Sequence, residues 1–381
     1  IVGSGLVGLV AAHSLSSLNY NVLIIDKKKF LNTKSTFKDT RTVAVSEGSK
    51  FFLESLSLWD SLDPYAEPIK KIKVFDRSSK NKILFNNQII NKNLGYVIKN
   101  IKFSQILKKK LLSFKKTTSI YGETLNEIKV GEQKITAYSN KFKIHSKLLV
   151  AADGKNSDIK KMAGNKTFKK DYSEQALVLS FVHEKNLRNT AYEIFFNTGP
   201  LAILPMKSFK NKNISTIIWS NKAAFLERLI NTDNKFLLNL IEEKISEIVG
   251  KIIKISSKQI FPLSAHINDS FANKRLIYVG DAAHSIHPIA GQGWNLGVKD
   301  VKNLHEISKT MKVDFGNDLF CKKYNELSYN KAFQLYQITD KLNTHFKANI
   351  SPYRLLSYAG FNIIENSTFV KNKITKYAMG F

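Results

Sequence analysis

The chain switches between two apolar periods. Ile1-Val2 runs into Gly3-Ser4-Gly5, and Leu6, Val7, Leu9, Val10, Leu15 and Leu18 then recur at helical spacing. Val22-Leu23-Ile24-Ile25 is a continuous apolar run that stops at Asp26. This pattern predicts strand, helix, strand. Strand character is under way at Ile1, so a few residues are expected to precede it. Residues 27–40 are polar and predict a loop, and Arg41–Ser46 leads into a helix carried by Phe51, Phe52, Leu53, Leu56 and Trp59. Short strands are predicted over 70–98, a helix over 101–114, and two strands at about 127–138 and 141–151.

From 171 to 268 the period becomes two. Ala176–Val182, Tyr192–Phe196, Leu201–Pro205 and Ile214–Trp219 alternate as strands, followed by a helical region at about 222–249 and a strand near 259–263. Strands inserted between βα segments predict a separate antiparallel sheet, suited to floor a pocket for an apolar substrate. Leu276–Val279 reads as another strand, and a helix is predicted from about 294 to 310. The last seventy residues predict helices. Within them, the apolar stretch at 355–364 reads first as a packing helix and second as a membrane-facing surface.

Three strands end in an acid. The first follows G-x-G-x-x-G at Gly3, Gly5 and Gly8, with Asp26 18 residues after the last glycine. Gly3 permits a tight turn, Gly5 lets backbone approach a pyrophosphate, and Gly8 lets helix and strand pack closely. The helix start favours the phosphate charge, and Asp26 can accept from ribose hydroxyls. The second is Asp153-Gly154, which by itself reads as an ordinary turn. The third is Gly280-Asp281, followed by Pro288 and by Gly291 and Gly293 at a helix start. Only one G-x-G-x-x-G is present, so one extended dinucleotide, FAD, is expected to run from Asp26 to Asp281.

The net charge of +28 changes this picture little. Lysines number 53 against 6 arginines and are spread along the chain, which reads as a solvated surface rather than a nucleic-acid site. Such a surface can still rest against an anionic membrane. A single cysteine, Cys321, excludes an internal disulfide and fits a reducing compartment. No apolar run reaches the length of a membrane span, and no signal-peptide pattern precedes the glycines. His284 and His287 have the i, i+3 look of metal ligands, but no cysteine or acid pair accompanies them, so no metal is expected.

Gly280-Asp281-Ala282-Ala283-His284-Ser285-Ile286-His287-Pro288-Ile289-Ala290-Gly291-Gln292-Gly293-Trp294-Asn295-Leu296-Gly297 resembles the late motif of the ubiquinone-biosynthesis FAD-dependent hydroxylases at nearly every position. These belong to the flavoprotein monooxygenases built like para-hydroxybenzoate hydroxylase. Arg41–Ser46, Leu94–Ile98, Thr339–Leu342 and Ala378–Gly380 resemble further signatures of that family. Lys160 stands where the family pattern has arginine, and Trp294 where phenylalanine is common.

The resemblance implies an α/β fold: a Rossmann-like FAD-binding domain (1–70, 92–170, 270–330), an inserted antiparallel β-sheet substrate domain (71–91, 171–269) and a C-terminal helical region (331–381). It implies that Asp281 holds the ribityl hydroxyls and that the helix start at Gly291, Gly293 and Asn295 faces the flavin. Arg41 and Gln105 would lie close to the cofactor, Asp153 would border the pyrophosphate, and Pro288 would face flavin and substrate. Pro288 and Arg41 are the catalytic candidates. The implied reaction is hydroxylation of a polyprenylated phenol, with NAD(P)H as co-substrate and O2 entering through a flavin C4a-hydroperoxide. A cytoplasmic protein is expected, with peripheral contact to the inner face of the cytoplasmic membrane and membership of a quinone-biosynthesis complex as further options. Another flavoprotein monooxygenase or reductase on an apolar substrate, or a non-catalytic scaffold, remains open at this stage.

Overall fold

The computed structural model describes residues 1–29, 39–76, 81–86, 92–311, 314–347 and 351–380. Part of the predicted loop at 27–40 lies outside the described residues, as do the side chains of 351–358 in the apolar stretch near the C-terminus.

Val22–Asp26 pairs in parallel with Thr117–Tyr121, and Val2 bridges in parallel to both Ile25 and Ala151. Leu149–Ala151 then pairs in parallel with Leu276–Tyr278. These strands share one direction, so Gly3, Asp26, Asp153 and Asp281 all emerge along one edge. Ligands bind at that carboxyl edge in open α/β sheets. Leu149–Ala151 and Leu276–Tyr278 are buried at every position, which is why they read as unbroken apolar runs. The helix Leu6–Ser17 is buried from Gly8 to Ser16 and packs against Asn100–Leu111 and Gly293–Thr310.

A second sheet has eight strands among the described residues. Its centre pairs Thr167–His183 with Lys212–Lys222 on one side and Ile252–Asn268 on the other, both antiparallel. Thr190–Phe196 runs antiparallel to Gly199–Phe209 but parallel to Lys71–Asp76. That single parallel junction arises because 71–76 enters the sheet from the nucleotide half through a long connection. On one face, Leu177, Leu179, Phe181, Ile194, Leu201, Ile203 and Trp219 pack beneath Asn234–Val249. That helix presents Leu237, Ile241, Ile245 and Val249 at helical spacing, all fully buried. Each such side chain contributes about 1.5–3 kcal/mol. The other face turns toward the nucleotide half, where Ala191 and Met206 pack with Ile69, Leu94, Val97 and Met379.

Three predicted strands differ in extent. The one at 127–138 is a hairpin, Leu125–Val130 and Ile135–Ser139, because the chain reverses through Gly131. The one at 141–151 divides into Lys143–Ser146, which completes that hairpin sheet, and Leu149–Ala151, which joins the parallel sheet. The strand near 259–263 spans Ile252–Asn268, since Thr167–His183 offers it a partner of equal length. Three helices follow the nucleotide half: Asp318–Lys347, Ser351–Asn366 and Thr368–Ala378. No helix among the described residues is long and apolar enough to cross a membrane.

Candidate cofactor and active site

Gly3 has φ +102, and a Cβ there would meet the Ala152 carbonyl oxygen at 2.3 Å. A Cβ on Gly8 would meet the Gly3 oxygen at 2.1 Å, whereas one on Gly5 would face open space. The first and third glycines therefore serve packing, and the second keeps a surface clear. Gly5 caps Leu6–Ser17 with no side-chain hydrogen bond, so the first-turn N–H groups remain available to an anion.

Asp26 lies across this turn. Its Oδ2 accepts the Ser4 amide and the Ser4 hydroxyl, both at 2.6 Å, and its Oδ1 accepts the Lys28 amide at 2.8 Å. Burial pushes the carboxyl up, but these bonds and the Lys28 charge outweigh it and hold Asp26 below its usual range. It is thus an ionised, fixed acceptor with lone pairs to spare.

A cleft of about 2020 Å³ runs from this point, with Gly3, Gly5, Asp26, Arg41, Gln105 and Asp153 among its lining residues. Drug-sized ligands occupy roughly 300–1,000 Å³, so the space suits something longer. Arg41 enters it with its Nε and Nη2 donating to Asp39 at 2.9 and 2.8 Å and its guanidinium 5.5 Å from the Phe261 ring centre. Asp153 turns part of its carboxylate to structural work. Its Oδ2 accepts the amides of Asp158 and Ile159 and caps the short helix Asp158–Met162. Its buried Oδ1 has no partner. Lys160 is buried with its Nζ unpartnered.

The other predicted residues gather at the far end. Gly280 has φ +58 and turns the chain after Leu276–Tyr278. Asp281 is exposed between buried Gly280 and Ala282, and among the described residues no hydrogen bond to its carboxylate is seen. Burial pushes its carboxyl up, opposed by the positive charges of His284, Lys155 and Arg41. Beside it, the Asp300 carboxylate accepts from the Gly280 amide at 2.9 Å and meets His284 Nε2 at 2.7 Å. This pairing occupies His284.

Pro288 starts a short 3-10 turn in which the Gly291 amide donates back to it at 3.0 Å. Gly293 then opens Gly293–Thr310, again without a side-chain cap. Asn295 acts as a brace. Its Oδ1 accepts the Ser46 amide and Ser49 hydroxyl, each at 2.9 Å, and its Nδ2 donates to the carbonyls of Ala44 at 2.8 Å and Gly291 at 3.3 Å. Its side chain is therefore committed within the protein, and the backbone of the helix start is left without a side-chain cap. Gln292 Nε2 donates to Ala378 O at 3.2 Å, and the Gly48 amide donates to Met379 O at 2.7 Å. The C-terminal Ala378–Gly380 stretch thus closes over this helix start.

The two ends are one site because Val7 joins them. A Cβ on Gly297 would meet Val7 Cγ2 at 2.8 Å and Gly280 Cα at 3.0 Å. The late helix therefore lies against the first glycine turn. Sequence reasoning missed Ser4, Asp39, Lys155, Phe261 and Asp300. Asp300 carried a faint signal, since it is an acid on the buried side of an otherwise apolar helix stripe. An open space before Gly5, uncapped helix starts at both ends and unpartnered Asp281 between them fit a polar dinucleotide.

Comparison with known proteins adds the following. The family model described as FAD binding domain matches residues 1–309. Ubiquinone hydroxylase UbiL of Rhodospirillum rubrum is 27% identical across 100% of this chain and 89% of its own length. The 3-demethoxyubiquinol 3-hydroxylase of Escherichia coli is 25% identical across 100% of this chain and 97% of its own. The crystal structure of p-nitrophenol 4-monooxygenase PnpA from Pseudomonas putida superposes with a TM-score of 0.78, covering 99% of this chain and 96% of that one at 16% identity. This last likeness is one of fold.

Proposed function

The chain belongs to the FAD binding domain family, and from that premise we propose that it is an FAD-dependent monooxygenase that hydroxylates the aromatic ring of a polyprenylated phenol in ubiquinone biosynthesis. The observation that carries this reading is a long cleft that holds the fixed acid Asp26, the first glycine turn and Arg41, with the Gly280–Asp281 turn and the uncapped helix start at Gly293 packed beside it through Val7. The full-length similarity to ubiquinone hydroxylases supports the substrate class.

FAD, when bound, supplies the acceptance of a hydride from NAD(P)H and the activation of O2. The protein's part is to bind, orient and keep water out. Ser4 and Lys28 hold Asp26 as an acceptor for the adenosine ribose. The N–H groups after Gly5 receive the pyrophosphate. Asp281 accepts from the ribityl hydroxyls, and Lys155 and Arg41 balance its charge. The uncapped start of Gly293–Thr310 offers a positive dipole end to negative charge on the reduced ring. Arg41, held by Asp39, lines the cleft, and Pro288 at the late turn would sit near the flavin ring. Gln105 stands on the cleft wall.

The lysine-rich surface suits peripheral contact with an anionic membrane, where a prenylated substrate resides. A scaffold role is disfavoured, since a scaffold has no use for an unpartnered Asp281. The test is NAD(P)H oxidation by purified yellow protein with a prenylated phenol, and detection of the hydroxylated product by mass spectrometry. Phenol-stimulated oxidation with product is expected. Asp281→Ala is expected to purify colourless, and stoichiometric flavin in that variant would defeat the site assignment.

A further inference from the structure

From Asn366 to Phe381 the chain carries Lys371, Lys373 and Lys376 and no aspartate or glutamate. Most of this stretch is the helix Thr368–Ala378. Its inner side is marked by buried Thr375 and, just past its end, by buried Met379. Met379 packs with Ile69, Leu94, Val97 and Met206. Lys371 pairs with Glu365 at 2.9 Å, and Glu365 also accepts the Leu84 amide at 3.1 Å. These contacts fasten the helix beside Asn81–Asn86, the edge strand of the large sheet.

The outer side has a different pattern. Phe369, Lys373 and Tyr377 recur at i, i+4 and i+8, so they form one row along the helix. Ile374 and Lys376 flank that row. Phe369 is 76% exposed, Tyr377 48% and Ile374 36%, and Lys373 and Lys376 are exposed beside them. Single exposed apolar side chains are ordinary on a protein surface. Three on one short helix, interleaved with lysines and free of acids, are the pattern of a helix that lies in a membrane interface.

The charge decides between occupants. Lys373 stands inside the apolar row, so an apolar groove of a protein partner would bury it without a counter-charge. An anionic bilayer satisfies both kinds of side chain at once. The lysine stems lie along apolar surface while their ammonium groups reach lipid phosphates.

We propose that Thr368–Ala378 is the surface by which this protein docks on an anionic lipid bilayer. The helix lies flat, with Phe369, Ile374 and Tyr377 below the headgroups and Lys373 and Lys376 among the phosphates. Docking is thus through one helix, and not through the lysine surface at large. The proposal rests on the monooxygenase reading for its purpose, since a prenylated phenol dissolves in the bilayer. The position of the helix suits that purpose. Ala378 O accepts from Gln292 Nε2 at 3.2 Å and Met379 O from the Gly48 amide at 2.7 Å. The helix that meets lipid therefore ends against the late helix start.

The test sediments the purified yellow protein, without phenol, with vesicles of phosphatidylcholine containing phosphatidylglycerol and with vesicles of phosphatidylcholine alone. Wild type is expected to bind the anionic vesicles and to be released by raised salt. Phe369→Ser combined with Lys373→Gln should bind about tenfold more weakly, yet keep its flavin and its rate on a short-chain, soluble prenylated phenol. Lys235→Gln combined with Phe236→Ser is the matched control, an exposed pair on the helix that covers the other face of the sheet. It should bind as wild type does. Equal loss in the two variants overturns the proposal, and so does wild type that stays in the supernatant. Amide hydrogen exchange of wild type with and without anionic vesicles needs no variant. Slowed exchange over 368–378 on binding supports the proposal, and unchanged exchange there overturns it. Phenol turnover without vesicle binding defeats the docking surface alone. Vesicle binding as expected without phenol turnover defeats the monooxygenase reading alone.

Discussion

Asp300 Oδ2 lies 2.7 Å from His284 Nε2 while also accepting the Gly280 amide at 2.9 Å. One carboxylate from the late helix thus clasps both sides of Asp281. Both partners are buried, with side chains 1% and 2% exposed. Removing one partner of a buried pair costs several kcal/mol. Asp300→Asn is therefore expected to cost about 3 kcal/mol and to weaken flavin retention. Thermal unfolding of the apoprotein and flavin absorbance after purification check this, and an unchanged Tm with full flavin would refute it.

The glycines of the first turn separate packing from binding. Gly5 has φ −66 and open space before it. Gly5→Ala should fold with wild-type stability, within about 0.5 kcal/mol, and bind FAD at least tenfold more weakly. Gly8→Ala drives a methyl to 2.1 Å from the Gly3 oxygen and should lower soluble yield before any ligand is added. Equal apoprotein stability in the two variants would contradict this division.

Asn295 makes three hydrogen bonds to the segment Ala44–Ser49 and a fourth to the Gly291 carbonyl. Asn295→Ala leaves buried donors unsatisfied and should cost about 2 kcal/mol. Asn295→Asp should cost more, because it turns a carboxylate toward the carbonyls of Ala44 and Gly291. Urea unfolding of both variants gives the order.

Stability should fall in mild acid. Burial holds His13 down to about 4, and Lys110 adds to this against the hydrogen bond with Leu107. Burial, with Lys160, likewise holds His266 down to about 3. Both are neutral in the fold and take a proton near 6.5 once unfolded. Their contribution is present above pH 6.5 and is lost as pH falls toward those folded values, on the order of 3 kcal/mol for His13. His284 acts oppositely. Burial lowers it, but Asp300 and Asp281 outweigh that and raise it, so its contribution is full below 6.5 and fades as pH rises. Tm measured from about pH 7 to 4 should drop, and His13→Gln should flatten the drop.

Legibility followed range. The run from Ile1 to Asp26 is local, so the spacing of three glycines and an acid already prescribes strand, turn and helix. The alternation over 171–268 likewise declared a sheet. The hairpin at 125–139 was read as one strand because its two halves share a composition and only Gly131 marks the reversal.

Contacts between distant segments were silent in the chain. Alternation shows that Glu193 and Ile194 face opposite ways, but not which of them enters the core beneath Asn234–Val249. That choice came from pairing with 71–76 and 199–209 and from the helix Asn234–Val249 covering the other side. Asn295 reads as part of a glycine-rich motif, yet its side chain serves Ala44 and Ser46, some 250 residues away. The sequence by itself determined the two half-sites, because turn and helix-start chemistry acts over a few residues. Only the tertiary structure decided that Val7, Gly280 and Gly297 touch and bring those halves together, because close packing depends on shape across elements that the order of residues does not place side by side.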